Sequence, residues 1–230
     1  MVNIWSLFAQ IIGTACPLCG APGDEICAPC DATLPRNANP CPSCALPLPE
    51  GTPQGLPCAD CQAHPPAFDR ALAPLLYAPP VDRLIAGFKY QLQLPLGRML
   101  TAPLAATLRE RGPLPELLLP IPAAASRLRR RGFNQAAEIA RHLGRQLDLA
   151  WAGNRLLRVR DAGPQHELGR AQRRRNLRGA FACRGALPRH VALIDDVMTT
   201  GATADEASRI LKRAGVGQVE VWAIARTPRE

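Results

Sequence analysis

The sequence predicts an α/β protein: a mostly parallel sheet flanked by helices, preceded by a small cysteine-rich module. Three observations predict it. From about residue 67 onward, apolar runs of strand length alternate with amphipathic segments of helix length. Eight of the nine cysteines lie between Cys16 and Cys61, as four Cys-x-x-Cys pairs. Half of the 24 prolines fall in the first 66 residues, where aliphatic runs are few. The expected division is therefore a module over 1–66 and an α/β domain over 67–230. Apolar residues make up 47% of the chain, which suits a packed core and argues against disorder.

Residues 2–12 place Val2, Ile4, Trp5, Phe8, Ile11 and Ile12 at helical spacing, predicting a short helix that packs on the module or on the next domain. The segment has neither a positive n-region nor a small-residue cleavage site, and no window reaches 18 continuous apolar residues. A transmembrane segment is therefore excluded, and a cytoplasmic location is expected.

The cysteine pairs are Cys16/Cys19, Cys27/Cys30, Cys41/Cys44 and Cys58/Cys61. Where thiols stay reduced, such pairs indicate metal ligation before disulfide bonding. A two-residue gap lets one tight turn aim both sulfurs at an ion, and two turns complete a tetrahedral shell around Zn2+. Neighbouring pairs give one site from Cys16, Cys19, Cys27 and Cys30 and a second from Cys41, Cys44, Cys58 and Cys61. Pairing the first with the third and the second with the fourth satisfies the same spacing. Free or redox-active thiols and an iron–sulfur cluster compete with zinc, and four pairs weigh against the first of these. A Pro-rich segment of this size needs such staples to fold. Closed four-sulfur shells are structural, and His64 beside them is expected to be a bystander.

The formal net charge of +9 is unevenly spread. Residues 1–66 carry net −4, whereas residues 127–189 hold 16 arginines and four acids, net +12. The acidic module repels a phosphate backbone and fits a structural or protein-docking role. Any anion partner is expected at the arginine-rich stretch.

The expected elements of the second domain follow in order. Strand-like runs occur at Leu72–Tyr77, Glu116–Ile121, Asn154–Arg158, Ala180–Cys183, His190–Asp195 and Val219–Ala225. Helical patterns cover Val81–Tyr90, Leu96–Glu110, Asn134–Leu147, a short basic stretch Glu167–Asn176, and Thr203–Ala214, which Gly215 stops. The arginines before Asn134 are expected in a loop. His142 and His166 are expected at the surface, Cys183 as a buried apolar residue, and Phe133 and Trp151 as core aromatics rather than base-stacking platforms.

The chemistry concentrates in VALIDDVMTTGAT, residues 191–203. A buried strand delivers Asp195 and Asp196 to its carboxyl edge, where open α/β sheets bind ligands. The small-residue loop Thr199-Thr200-Gly201-Ala202-Thr203 then opens a helix, so free amides, threonine hydroxyls and the helix dipole form a phosphate cradle. Carboxylates that grip adjacent hydroxyls beside such a cradle match a ribose 5-phosphate. The Gly-Lys-Ser/Thr ending of a Walker A loop is missing.

This stretch resembles the phosphoribosyl pyrophosphate (PRPP) signature of type I phosphoribosyltransferases: four apolar residues, Asp-Asp, two variable residues, Thr-Thr-Gly. The resemblance implies that Asp195 and Asp196 bind the ribose 2- and 3-hydroxyls and that Thr199 to Thr203 bind the 5-phosphate. PIP at 120–122, RRRGFNQ at 129–135, RVRDAGPQ at 158–165 and R-x-x-R-R-R-N at 170–176, with the four Cys-x-x-Cys pairs, are similar to the ComF competence family. That family couples a double zinc ribbon to a type I phosphoribosyltransferase-like domain. Ala123-Ala124-Ala125 departs from the Leu-His-Arg-like residues of many relatives.

On this resemblance Arg131 and Gly132 form a pyrophosphate loop, Arg158 to Gln165 a flexible loop that closes over PRPP, and Lys89 reaches the same site. Two structural Zn2+ and a Mg2+ that accompanies PRPP are implied. Arginine suits such a ligand, since its planar fork makes paired bonds to phosphate oxygens. The resemblance also implies uptake or handling of single-stranded transforming DNA, alongside a DNA-uptake helicase or another competence protein. Arg127, Arg129, Arg130, Arg174 and Arg175 are the candidate DNA contacts, with solvated arginine faces as the competing reading. The alternative function is phosphoribosyl transfer to a small acceptor with no nucleic-acid role.

Overall fold

The computed structural model describes residues 15–90, 95–160 and 176–229. The helix expected over 2–12, nearly all of the basic helix at Glu167–Asn176, and Gln165, His166, Arg174 and Arg175 lie outside these residues.

Two one-turn helices, α1 (Ala28–Ala32) and α2 (Ala59–Ala63), stand in the module. Each begins inside a Cys-x-x-Cys pair, with Cys27 or Cys58 as N-cap, so helix geometry returns Cys30 or Cys61 to the same side one turn later. Next come strands β1 (Arg70–Leu72) and β2 (Leu75–Leu76), then helices α3 (Val81–Tyr90) and α4 (Pro95–Arg109). Strand β3 (Leu117–Pro120), helices α5 (Ala125–Arg131) and α6 (Gln135–Leu147), and strands β4 (Leu156–Arg158) and β5 (Phe181–Cys183) follow. The chain closes with β6 (His190–Met198), α7 (Ala202–Arg213) and β7 (Gln218–Arg226).

The main sheet has the order β1-β7-β6-β3, with β2 joining β7 beyond β1, and every pairing in it is parallel. β4 and β5 form a separate antiparallel ribbon. The single strand expected at Leu72–Tyr77 is thus two short ones, and Pro74 lies in the gap. Proline has no N–H for a ladder, and here its carbonyl instead accepts the Asn37 amide at 2.8 Å.

The basic loop expected before Asn134 is corrected as well, because its sequence forms α5. Ala, Leu and Arg are strong helix formers, and Gly132, at φ 80°, supplies the left-handed residue that ends the turn. Asn134 caps α6 as its side chain accepts the Ala136 amide at 3.2 Å. His142 on that helix is half-buried rather than at the surface. Its ring packs against Gly97, where a Cβ would come within 3.0 Å, and desolvation pushes its pKa down to about 4.

Alternation along the strands builds two cores. On one face Leu118, Ala192, Ile194, Trp222 and Ile224 pack against α3, α4 and α6. On the other Leu119, Val191, Leu193, Val219, Val221 and Ala223 pack with α7 and with Cys41, Cys44, Cys58 and Cys61. The second cysteine cluster therefore covers part of the sheet as an extra helix would. Asn37 fastens it through bonds to the Ala45 and Ala73 carbonyls at 2.8 and 3.1 Å.

At the opposite, amino edge of the sheet, Glu220 is almost fully buried. Burial alone would raise its pKa, yet Arg70 at 2.6 Å and the Trp222 indole at 2.9 Å hold it below the usual glutamate range. His190 Nε2 lies 3.0 Å from the same carboxylate. Glu220→Ala leaves these donors unpaired in the core. Its expected cost is about 3–5 kcal/mol in denaturant unfolding, and a loss below about 1 kcal/mol would show that the cluster is not a unit.

Candidate functional site

β6 outlasts its neighbour β3: Pro120 pairs with Ile194, and the Ile121 amide makes the last bond to that strand, to the Ile194 carbonyl at 2.9 Å. Asp195 and Asp196 therefore emerge where one side of the strand has just lost its partner. This is the carboxyl edge expected from the sequence, although β6 itself runs on to Met198 beside β7.

Lys89, on the last turn of α3, meets Asp196 with Nζ 2.9 Å from Oδ2. Their side chains are only 15% and 16% exposed, so this pair is shielded well beyond an ordinary surface contact. Asp195 accepts the Asp196 amide at 2.9 Å. Desolvation, and then the Asp196 charge beside it, push the Asp195 pKa up to about 7, while Lys89 and Arg127 pull it back. Arg127, expected among the DNA contacts, thus contributes to the field at this carboxylate. A carboxyl pushed toward neutrality by burial and a like charge makes this sheet edge a candidate site.

The same turn of α3 organises the arginines of α5. Arg131 donates to the Tyr90 hydroxyl at 2.8 Å and to Gln135 Oε1 at 3.0 Å, and its guanidinium lies 4.7 Å from the Tyr90 ring centre. Arg130 lies over the same ring at 5.6 Å. Arg129 is exposed on α5, and Gly132 is the C-cap of that helix. Arg158 stands on β4 with its guanidinium 5.6 Å from the Phe181 ring of β5. Tyr90, 59% exposed, was missed by sequence reasoning, although it directly follows Lys89 in the Phe-Lys-Tyr run.

After β6, Thr199, Thr200 and Gly201 turn the chain into α7, which starts at Ala202 and includes Thr203. Gly201 adopts φ 75°, and a Cβ there would also come within 2.8 Å of Met198 Cε. Thr200 Oγ1 accepts the Ala202 amide at 3.3 Å. Behind the loop lies Arg226, 3% exposed, whose guanidinium donates to the carbonyls of Met198, Thr199, Thr227 and Cys44. A cleft of about 390 Å³ separates the loop from the second cysteine cluster, and Cys61, His64, Phe68, Met198, Thr200 and Asp205 are among its lining residues.

The cysteines resolve into Cys16, Cys19, Cys27, Cys30 and Cys41, Cys44, Cys58, Cys61, so neighbouring pairs share a site and the interleaved pairing is ruled out. All four sulfurs of each set lie within 4.8 Å of one another. A tetrahedron with Zn–S arms of about 2.3 Å has edges of about 3.8 Å. The Cys19–Cys27 and Cys44–Cys58 sulfur separations are 3.5 and 3.8 Å. Both sets thus fit Zn2+, and the Cys58 amide donates to Cys41 Sγ at 3.2 Å as it would to a bound thiolate. The first set is partly exposed, whereas the second is buried throughout.

The Salmonella typhi DNA utilization protein YhgH is 35% identical over 210 residues, covering 88% of this chain and 90% of that protein. Competence protein F of Haemophilus influenzae is 36% identical over 178 residues, 74% of this chain and 78% of its own. The chain belongs to the ComF competence family. Competence protein ComFC of Streptococcus pneumoniae, at 24% identity over 213 residues, spans 87% of both chains. No family model matches. Within this ComF-family chain the Ala123–Ala125 departure leads into α5, where Ala124 is an N-cap without a side-chain bond. Among the described residues, no helix is long and apolar enough to cross a membrane.

Proposed function

We propose that this ComF-family protein binds Mg-PRPP at the edge of β6 and acts in the uptake or handling of single-stranded DNA. The observation that carries the first part is the paired carboxylate Asp195-Asp196, faced by Lys89 and Arg127 and followed by a loop that opens α7. Two adjacent acceptors suit two adjacent ribose hydroxyls, while the amides and hydroxyls of Thr199 to Thr203 suit a 5-phosphate. Arg131, Gly132 and Arg158, with Gln165 beyond the described residues, are the pyrophosphate side of the site. Mg2+ is held by few carboxylates and mostly by substrate phosphates, which this donor set fits, and when bound it offsets charge on the pyrophosphate.

The DNA part is supported by the names of the relatives, DNA utilization protein and Competence protein, and by the exposed Arg129 and Arg130 of α5. Each phosphate contact to a single strand contributes a slope of about 0.7 to the log–log salt dependence. Arg129→Ala with Arg130→Ala is expected to flatten that slope by about 1.4 in an oligonucleotide titration. An unchanged slope would mean that these arginines are solvated faces.

The direct test is calorimetric titration with PRPP and Mg2+. Ionised Asp195 accepts hydrogen bonds from the hydroxyls, and a proton on it competes with the ligand. Because its pKa is about 7, affinity is expected to rise roughly tenfold from pH 6 to pH 8. Asp196→Asn removes the neighbouring charge and should move that midpoint down. No binding at either pH would reject the PRPP site. Pyrophosphate release in the presence of a small acceptor would make the protein a transferase, whereas binding without turnover favours an accessory role.

A further inference from the structure

We propose that Arg226 is a positioning residue that aims the phosphate loop and couples it to the second cysteine site, so that each site tightens the other. This rests on the reading of Thr199–Thr203 as an anion cradle.

Arg226 ends β7, a strand buried from Val219 onward. Its Nε donates to the Cys44 carbonyl at 3.0 Å. Its Nη1 donates to the Met198 carbonyl at 2.8 Å, to Thr227 at 3.1 Å, and to the Thr199 carbonyl. A planar fork cannot adjust its branches independently, so one rigid group fixes residues 44, 198 and 199 relative to one another.

Peptide planarity turns this clamp into an aiming device. In a trans peptide the carbonyl and the following N–H point in opposite directions. The Met198 carbonyl is held by the Thr227 amide of the β6–β7 ladder at 3.1 Å as well. What Arg226 adds is its hold on the Thr199 carbonyl, which turns the Thr200 amide away from it, toward the outer side of the loop. That pre-orients this donor of the cradle before an anion arrives, which is the usual source of strong oxyanion binding. The Met198 side chain packs in the same cluster as Cys44 and Cys61, and its Cε lies 2.8 Å from where a Cβ at Gly201 would stand. The loop is thus clamped through both backbone and side chain to the fragment that carries two zinc ligands. By linkage, an anion that stabilises this arrangement must also stabilise the site at Cys44 by the same factor.

The test measures zinc release to a chromophoric chelator from the full chain, alone, with Mg-PRPP, and with inorganic phosphate as a second anion. The partly exposed first site, whose neighbourhood bonds to α4 through Asp24 and Arg98, supplies a fast phase that ligand leaves unchanged. The slow phase from the buried site is expected to slow by about fivefold or more with either anion. In Arg226→Met the slowing should vanish and the anion Kd rise about tenfold, with two zinc ions still loaded, while Arg226→Lys restores part of both. A merely structural role would lower the melting temperature of Arg226→Met but keep the slowing. If phosphate slows release and PRPP does not bind, the PRPP reading falls and the coupling stands. If either anion binds and slow-phase release is unchanged, the coupling is overturned, with or without a folded variant. If neither binds, both readings fall.

Discussion

Asp195→Ala combined with Asp196→Ala is expected to abolish Mg-PRPP binding, with Kd raised by at least about 100-fold. Each carboxylate forms charge-assisted hydrogen bonds worth about 1.5–3 kcal/mol, and two such losses correspond to two or more powers of ten. The fold should survive. Asp196 gives up its ion pair with Lys89, but both groups sit at a strand end that β3 no longer covers. For Asp195 the sign is favourable to stability. Its folded pKa, about 7, lies above the ordinary 3.8, so the folded state binds more protons within that window. The group therefore costs stability progressively as pH rises from about 4 to about 7. Asp195→Ala alone is expected to leave the melting temperature at pH 8 unchanged or higher, a sign that this residue serves the ligand. Equal PRPP affinity in the folded double variant would remove the site assignment.

The second large effect separates the two cysteine sites. Cys58→Ser or Cys61→Ser is expected to destroy cooperative folding, whereas Cys19→Ser should release one zinc and leave the sheet intact. A structural zinc site contributes about 10–16 kcal/mol of apparent binding free energy, comparable to the whole stability of a domain. The difference lies in what each site supports. Cys58 and Cys61 share one apolar cluster with Leu193, Val221, Met198 and Ala207, so losing that metal opens a face of the sheet. Cys19 is exposed, and its neighbours Leu18 and Ile26 only edge the opposite core. Metal analysis with thermal unfolding by circular dichroism decides the matter. About two zinc ions per wild-type chain are expected, and equal losses from both substitutions would contradict the asymmetry.

Much of the fold was legible because its signals are local. Val81–Tyr90 was bounded correctly by its amphipathic period, and the start of the strand at His190 by a run of residues buried on both faces, although that strand runs three residues past Asp195 to Met198. The errors were local conflicts that a neighbour decided. Leu72–Tyr77 read as one strand until Pro74 offered its carbonyl to Asn37. Ala125–Arg131 read as a loop because arginines dominate it, yet those arginines gain partners as a helix, on Tyr90 and Gln135. His142 read as a surface residue from its place in mid-helix, whereas Gly97 opens the space it packs into.

The sequence by itself determined the Cys-x-x-Cys pairs, the Asp-Asp/Thr-Thr-Gly loop and the alternation of strands and helices. Spacing of two, 3.6 or three residues is a property of one turn or one element, so it is written in consecutive positions. Only the tertiary structure decided which cysteine pairs share an ion, that Lys89 meets Asp196, that Asp195 titrates near neutrality, and that Arg226 reaches a carbonyl 182 residues away. Those outcomes depend on burial and on contacts between distant segments. No local period encodes them, because they exist only once the sheet and the cysteine module have packed together.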